Sequence, residues 1–296
     1  MTIRHLRVFV TVAECGKMRT AAKELFVAQP AVSQTISELE QHYNTRLFER
    51  LSHKLYITPA GEQLLSYAKH ILSLYDEMEL NMHSSTEKSE IRIGATIMVG
   101  TCLIVPILNR YAELHPLVGT SIYISNNDVL RERLLNSELD FVLVEGSFSD
   151  PNFIVEPVLD DPMVLICGLK HEFAKRKSVT LEEVSQASFI GREKGEKQEL
   201  FDEFLIGKNL TTNTKWISNN SETTKKAVMA NRGITLISKR IVADEIAKDL
   251  VHVVSVEKCH IVRKVQLVYH KNKYISKPLE DLLALCRKVE ELVPEC

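Results

Sequence analysis

One stretch constrains this chain more than any other: Gln29-Pro30-Ala31-Val32-Ser33-Gln34-Thr35-Ile36-Ser37-Glu38-Leu39-Glu40. Val32, Ile36 and Leu39 recur at helical spacing and form one buried stripe. Pro30 falls in the first turn, where a helix tolerates it. Gln29, Ser33, Gln34 and Ser37 lie off the stripe. Short uncharged side chains that both donate and accept are what a helix needs to meet base edges in a major groove. The segments before it fit that use. Leu6, Phe9, Val10 and Ala13 mark a first helix that Cys15-Gly16 ends. Thr20–Leu25 marks a short second helix, whose small Ala21 and Ala22 let another helix pack closely. Phe26-Val27-Ala28 is the turn. Two readings fit this pattern: a DNA-binding helix-turn-helix, or a small helical bundle with no ligand.

The next segment favours the first. Arg46-Leu47-Phe48-Glu49-Arg50 and Lys54-Leu55-Tyr56-Ile57-Thr58 flank the turn Leu51-Ser52-His53, which reads as a hairpin. A hairpin with Arg50, His53 and Lys54 at its tip is a wing able to reach phosphates or a minor groove. Residues 1–60 carry eight Lys or Arg against five Glu, a net +3, so the remainder carries −5 of the chain's −2 total. A mildly basic head on an acidic body suits local phosphate contact, not a general coating of nucleic acid.

Ala21-Ala22, Leu25, Gln29-Pro30-Ala31-Val32-Ser33, Ile36, Leu39-Glu40, Leu47-Phe48-Glu49-Arg50 and Thr58-Pro59-Ala60-Gly61 resemble the signature of LysR-type transcription regulators, in the same order and spacing. The resemblance implies a winged helix-turn-helix over residues 1–58. Its DNA contacts would come from Arg19, Thr20, Gln29, Pro30, Ala31, Ser33, Gln34, Arg50, His53 and Lys54. Two positions depart from the family's habit. Ala28 stands where Ser is common, and Ser37 where Lys or Arg is common. Both lower the capacity for phosphate contact.

Residues 59–88 read as one long linker helix and a hinge. Thr58 is its N-cap, with Pro59 in the first turn. Leu64, Ala68, Ile71, Tyr75, Met78 and Met82 recur at intervals of four and three, a heptad seam. The seam fits either a helix packed on its own domain or a two-stranded contact with a second copy. The family resemblance implies the second, a homodimer that places two recognition helices on one face of the duplex. The serine-rich segment from His83 to Glu90 reads as the hinge.

From Ile91 onward, strand-like runs (Ile91–Ile93, Ser121–Ile124, Phe141–Val144, Met163–Cys167, Ser188–Ile190, Ile234–Ile237, Val265–His270) alternate with helical patterns (Leu103–Leu114, Asp128–Asn136, Gln198–Phe204, Ser221–Ala230). That alternation predicts an α/β domain over residues 89–296 with a largely parallel sheet. The resemblance implies the two-lobed, periplasmic-binding-protein-like effector domain of the family. Lobe I would span about 91–161 and 266–296, and lobe II about 162–265. In open parallel sheets ligands sit beyond the carboxyl ends of strands, near helix N-termini. This places Thr96, Ile97, Met98, Asn126, Asn127, Glu145, Arg192, Glu193 and Asn219 around one cleft. The resemblance gives Thr96 a hydroxyl for an effector carboxylate, and Arg192 could add a bidentate contact. Glu196 and Lys197 stand where relatives often have Ser-Gly. Plainer roles fit the same residues: Thr96 as an N-cap, Asn126-Asn127 as a turn, and Arg192 paired with Glu193 or Glu196.

Several classes are disfavoured. No apolar run has transmembrane length, and residues 1–15 lack a secretory pattern, so a cytoplasmic location is expected. The six cysteines are scattered without a CxxC pair, which speaks against a metal site or a disulfide framework. No nucleophile elbow, phosphate-cradling loop or ligand set marks an enzyme. A solute-binding transport protein would need a secretion signal and no DNA head. Cys259, flanked by Lys258 and His260, is the one thiol in a basic setting, and so the candidate if the chain were a redox-sensing regulator. The expected protein needs no cofactor. Its expected partners are double-stranded promoter DNA, a small anionic effector, further copies of itself as a homodimer or homotetramer, and RNA polymerase.

Overall fold

The protein is described by a computed structural model that covers all residues except 52–53, 84–89, 147, 193–200, 202–203 and 294–296. It divides into two compact units. One holds residues 1–88 with the short stretches 132–139 and 272–274, and the other holds the rest.

The head consists of helices α1 (Ile3–Cys15), α2 (Met18–Glu24) and α3 (Gln29–Tyr43), a hairpin of β1 (Phe48–Leu51) and β2 (Lys54–Ile57), and the long α4 (Pro59–His83). Local chemistry sets each boundary. The Thr2 hydroxyl accepts from the His5 N–H to start α1, and Gly16 at φ 63° ends it. Asn44 at φ 48° ends α3. The apolar stripes of all four helices converge with the hairpin: Leu6, Phe9, Val12, Ala21, Ala22, Val32, Ile36, Leu39, Leu47 and Phe48 form one core with Ala68 and Leu72 of α4.

The second unit contains β3 (Glu90–Ala95), α5 (Ile97–Cys102), α6 (Ile104–Leu114), β4 (Gly119–Ile124), α7 (Asn127–Leu135, of which residues 132–135 belong to the first unit), β5 (Phe141–Glu145), β6 (Phe153–Gly168), α8 (Leu181–Gln186), β7 (Ser188–Gly191), β8 (Asn213–Ile217), α9 (Ser221–Met229), β9 (Thr235–Ser238), α10 (Ala243–Ala247), β10 (Val251–Val254), β11 (Ile261–His270), α11 (Lys277–Arg287) and α12 (Val289–Leu292). β4, β3 and β5 pair in parallel. β11 pairs antiparallel with β5 and with the first part of β6. The last part of β6 lies between β9 and β10, antiparallel to both. β7 and β8 form a separate parallel pair.

The sheet is therefore mixed, where a largely parallel one was expected. The reason is the two long strands β6 and β11, which run antiparallel past residues 161–162 and 265–266, the expected lobe boundaries. The runs Met163–Cys167 and Val265–His270 mark only parts of them. The first half of β6 mixes exposed and half-buried positions, so its hydrophobic signal is diluted. One apolar core gathers β3, α5, α6, β5 and α11 around Ile93, Phe141 and Leu267. Two others gather the end of β6 with β7, β9, β10 and α9. The helix expected over Gln198–Phe204 lies largely outside the described residues.

Candidate nucleic-acid interface and effector cleft

The exposed face of α3 presents Gln29, Pro30, Ala31 and Gln34, while Ser33 is half-buried. Arg19 and Thr20 of α2 are exposed as well. Ala28 is the N-cap of α3 and supplies no side-chain bond, so its own carbonyl takes the Ala31 N–H at 3.0 Å. The Ser37 hydroxyl folds back onto the Ser33 carbonyl at 3.0 Å. Gln34 Nε2 donates to Glu38 at 2.9 Å. The turn between α2 and α3 passes through Phe26, which is 95% exposed and held at φ 55°.

The wing is tied to α3 by Glu40, whose carboxylate accepts from the backbone N–H groups of Leu47 (2.8 Å) and Phe48 (3.2 Å). Arg50 and Lys54 lie on β1 and β2, but their side chains, like the whole of His53, are outside the described residues. Thr58 explains the Thr-Pro-Ala-Gly segment. Its hydroxyl donates to the Arg46 carbonyl at 2.7 Å and accepts from the Gly61 N–H at 3.0 Å. A Cβ on Gly61 would sit 2.3 Å from the Leu47 carbonyl oxygen, so only glycine lets α4 start this close to the wing.

The heptad of α4 is shared between two tasks. Ala68 is fully buried in the head's own core and Leu64 packs against it. This corrects the expectation that Ala68 lies on a seam open to a second copy. The α1–α4 contact draws in the small residue because two helix backbones approach there. Tyr75 lies under the Arg7 guanidinium, which also pairs with Asp76. Ile71, Met78 and Met82 remain exposed, joined by Tyr67.

In the second unit, the strand ends do gather charge. Thr96, at the end of β3, is fully buried, and its hydroxyl accepts from the Glu145 N–H at 3.4 Å. Asn127 Nδ2 donates to the Glu145 carbonyl at 3.2 Å. Thr96 and Asn127 thus brace the end of β5. Glu145 itself is 1% exposed, and its carboxylate lies 3.7 Å from Arg263 Nη1. Arg192 donates to the Asn219 carbonyl at 2.9 Å. Burial pulls its pKa down from the ordinary value, while the nearby Glu145 raises it and Arg263 lowers it further.

Other expected cleft residues go elsewhere. Met98 is fully buried in the apolar core, because the first turn of α5 points it at the sheet. Asn126 is exposed and its side chain caps α7 through the Val129 N–H at 3.0 Å, the turn role that its residue type allows. Ile97 is half-buried and Asn219 exposed, and Glu193, Glu196 and Lys197 lie outside the described residues.

Sequence reasoning missed three residues: Asp161, Arg263 and Ser238. Asp161 on β6 and Arg263 on β11 face each other in register, 0% and 4% exposed. Asp161 also accepts from the Ser238 hydroxyl at 2.6 Å. In the sequence Asp161 and Arg263 each belong to a charged pair, Asp160-Asp161 and Arg263-Lys264, inside an apolar run, and only the strand register shows which members meet. Beside them is a small pocket, open to solvent, lined by Arg192, Arg263, Thr235, Ser238 and the apolar Phe189 and Ile237. The Thr235 and Ser238 hydroxyls donate to the Ile190 carbonyl and to Asp161, which leaves the two guanidinium groups as the groups on this wall that can hold a small oxyanion.

Cys259, the candidate redox thiol, does not have the electrostatics of a reactive thiol. Burial raises the pKa of Cys259, and pushes Cys167 up to about 11 and Cys286 to about 12. A reactive thiol needs the opposite shift. Among the described residues, no group of His, Cys, Asp and Glu could hold a metal ion, and no helix is long and apolar enough to cross a membrane.

Comparison with known proteins agrees with both halves. Residues 3–62 match the family described as bacterial regulatory helix-turn-helix protein, lysR family, and residues 84–291 match the LysR substrate binding domain. The transcriptional regulator CfxR of Cupriavidus necator is 30% identical over 97% of this chain and 90% of its own length. The transcriptional activator CmpR of Synechocystis is 28% identical over 93% of this chain and 91% of its own. Among solved structures, a full-length OxyR variant from Pseudomonas aeruginosa has a TM-score of 0.74 at 20% identity, covering 100% of this chain and 96% of that one. Full-length BenM has a TM-score of 0.61 at 23% identity, covering 100% and 99%. At those identities the structures speak for the fold. With both its domains matched, the chain belongs to the LysR family of DNA-binding transcription regulators, each of which carries a substrate-binding domain for an effector.

Proposed function

We propose that this regulator reads a two-fold symmetric promoter site as a cytoplasmic oligomer, and that a small oxyanion bound between the lobes alters its grip on that site. Base edges are read by Gln29, Pro30, Ala31, Ser33 and Gln34. Arg19, Thr20 and the wing residues Arg50, His53 and Lys54 contact the backbone. The exposed stripe Tyr67, Ile71, Met78 and Met82 on α4 supports pairing with a second copy, since monomeric proteins rarely leave such a row uncovered. The strand edges β4, with Ile122 and Ile124, and β8, with Trp216 and Ile217, are apolar and exposed. They offer a second self-association surface for a homotetramer.

The observation that carries the effector reading is the pair of guanidinium groups, Arg192 and Arg263, on one pocket wall. Effector binding closes the lobes, shifts the packing between effector domains, and changes the spacing of the heads, the promoter bend and the recruitment of RNA polymerase. A thermal-shift screen of carboxylates, phosphates and inorganic oxyanions against the full-length protein tests this, followed by DNA footprinting. An anion that raises the unfolding temperature and changes the footprint, with both effects lost in Arg192→Gln, is the expected result. If neutral isosteres act as well as anions, or no anion changes the footprint, the reading is wrong.

A further inference from the structure

Four side chains connect the N-terminus of the chain to the exposed face of α3. Thr2 Oγ1 lies 2.5 Å from His5 Nδ1, His5 Nε2 lies 3.1 Å from Glu38 Oε2, and Glu38 Oε1 accepts from Gln34 Nε2 at 2.9 Å. A carboxylate only accepts, so the nitrogens that donate to it must be the amide end of Gln34 and a protonated Nε2 of His5. A neutral His5 of that tautomer has a bare Nδ1, which accepts from the Thr2 hydroxyl. The donors and acceptors therefore agree along the whole chain.

A glutamine four residues before a carboxylate on a lone helix is a weak, mobile pair. Here the carboxylate is also held from another helix by His5. The amide of Gln34 cannot flip without losing its bond to Glu38. Its oxygen is therefore the group turned away from Glu38 and presented outward, with one N–H beside it.

We propose that Glu38 is a positioning residue for base reading: by fixing the Gln34 amide, it makes Gln34 select a base that offers an exocyclic amino group. That edge belongs to adenine, whose N6 donates and N7 accepts, or to cytosine, whose N4 donates. Guanine offers two acceptors and thymine one; either can meet only the remaining N–H and leaves the fixed oxygen without a donor, so both are disfavoured. The negative charge of Glu38 adds to the rejection of guanine's acceptor-rich edge. This inference rests on the reading that α3 enters the major groove with Gln34 at the bases.

In vitro selection from a randomised double-stranded DNA pool, using the full-length protein, Gln34→Ala, Glu38→Gln and His5→Ala, tests it. Thermal unfolding of each variant serves as the control for folding. The wild type should prefer adenine or cytosine at one position per half-site by about tenfold. Gln34→Ala should erase that preference at that position alone. Glu38→Gln frees the amide to flip, and should admit guanine or thymine at the same position while the other positions keep their preferences. His5→Ala should relax it in the same direction, by less.

If Gln34→Ala changes no position, the base-edge role of Gln34 fails and the inference with it. If Gln34→Ala erases the preference but Glu38→Gln leaves it as in wild type, Gln34 reads a base and the positioning role of Glu38 is overturned. A uniform loss across all positions in Glu38→Gln, with a lowered unfolding temperature, would mean that Glu38 only supports the fold and would also overturn it.

Discussion

Arg263 donates to one oxygen of Asp161 through both Nε, at 3.2 Å, and Nη2, at 2.6 Å, in a place where neither residue is more than 4% exposed. The pair joins β6 to β11. Asp161→Ala would leave a buried guanidinium without its main partner. Breaking such a pair costs about 3–5 kcal/mol, so thermal unfolding of the effector domain should fall by many degrees. Replacing both at once, Asp161→Leu with Arg263→Met, should recover only part of that loss, because the buried Glu145 carboxylate then loses its contact with Arg263.

Gly61→Ala should damage the head alone. The added methyl would meet the Leu47 carbonyl oxygen at 2.3 Å and Ile57 Cγ1 at 2.6 Å. A backbone oxygen cannot swing aside, so the start of α4 and the wing must separate. The expected destabilisation is at least about 1–3 kcal/mol, with weaker DNA binding by fluorescence anisotropy. Unfolding of the effector domain should be unchanged.

Ala28→Ser should strengthen the N-terminus of α3. Pro30 has no N–H, so the donor in reach of the introduced hydroxyl is that of Ala31, which already bonds the Ala28 carbonyl. The gain should lie at the low end of the range for such caps, about 0.5 kcal/mol, read as a small rise in unfolding temperature and a tighter complex.

Phe26→Asn should stabilise the head as well. Phe26 sits at φ 55° with 95% of its surface exposed. A left-handed conformation costs an ordinary residue about 1–2 kcal/mol and asparagine less. Little burial is lost in exchange. A fall in stability on this change would show that the phenyl ring has a partner.

Acid should loosen helix α11. Glu156 accepts from Arg287 Nε at 2.7 Å and Nη2 at 3.1 Å, and from the Tyr269 hydroxyl at 2.8 Å. The Arg287 bonds, aided by Tyr269, hold its carboxyl below the ordinary value. The folded pKa lies below the unfolded one, so this contribution is complete at neutral pH. It fades as pH drops from about 4.3, the ordinary Glu value, through the depressed folded one. Both partners are partly exposed, which limits the effect to about 1 kcal/mol or less. Denaturant titrations at successive pH values should show a shallower acid decline in Glu156→Gln than in wild type.

Local signals were the readable ones. The stripe Val32, Ile36, Leu39 and the Thr58-Pro59-Ala60-Gly61 start of α4 could be placed from the sequence, because helix phase and capping depend on near neighbours. The alternation after Ile91 announced an α/β domain for the same reason. Ala68 carried the heptad period, yet the period does not say whether a partner helix belongs to the same chain. Met98 follows a strand end like a cleft residue, and the turn of α5 sends it inward. Asp161 and Arg263 are 102 residues apart, and no local pattern pairs them.

By itself, then, the sequence determined the helix-turn-helix, its exposed glutamines and the two-part layout, all matters of period and residue type. Only the tertiary structure decided that β6 and β11 run antiparallel, that Thr96 braces Glu145, and that Arg192 and Arg263 share one pocket. Strand register brings distant residues within bonding distance, and register is set by packing across the whole sheet.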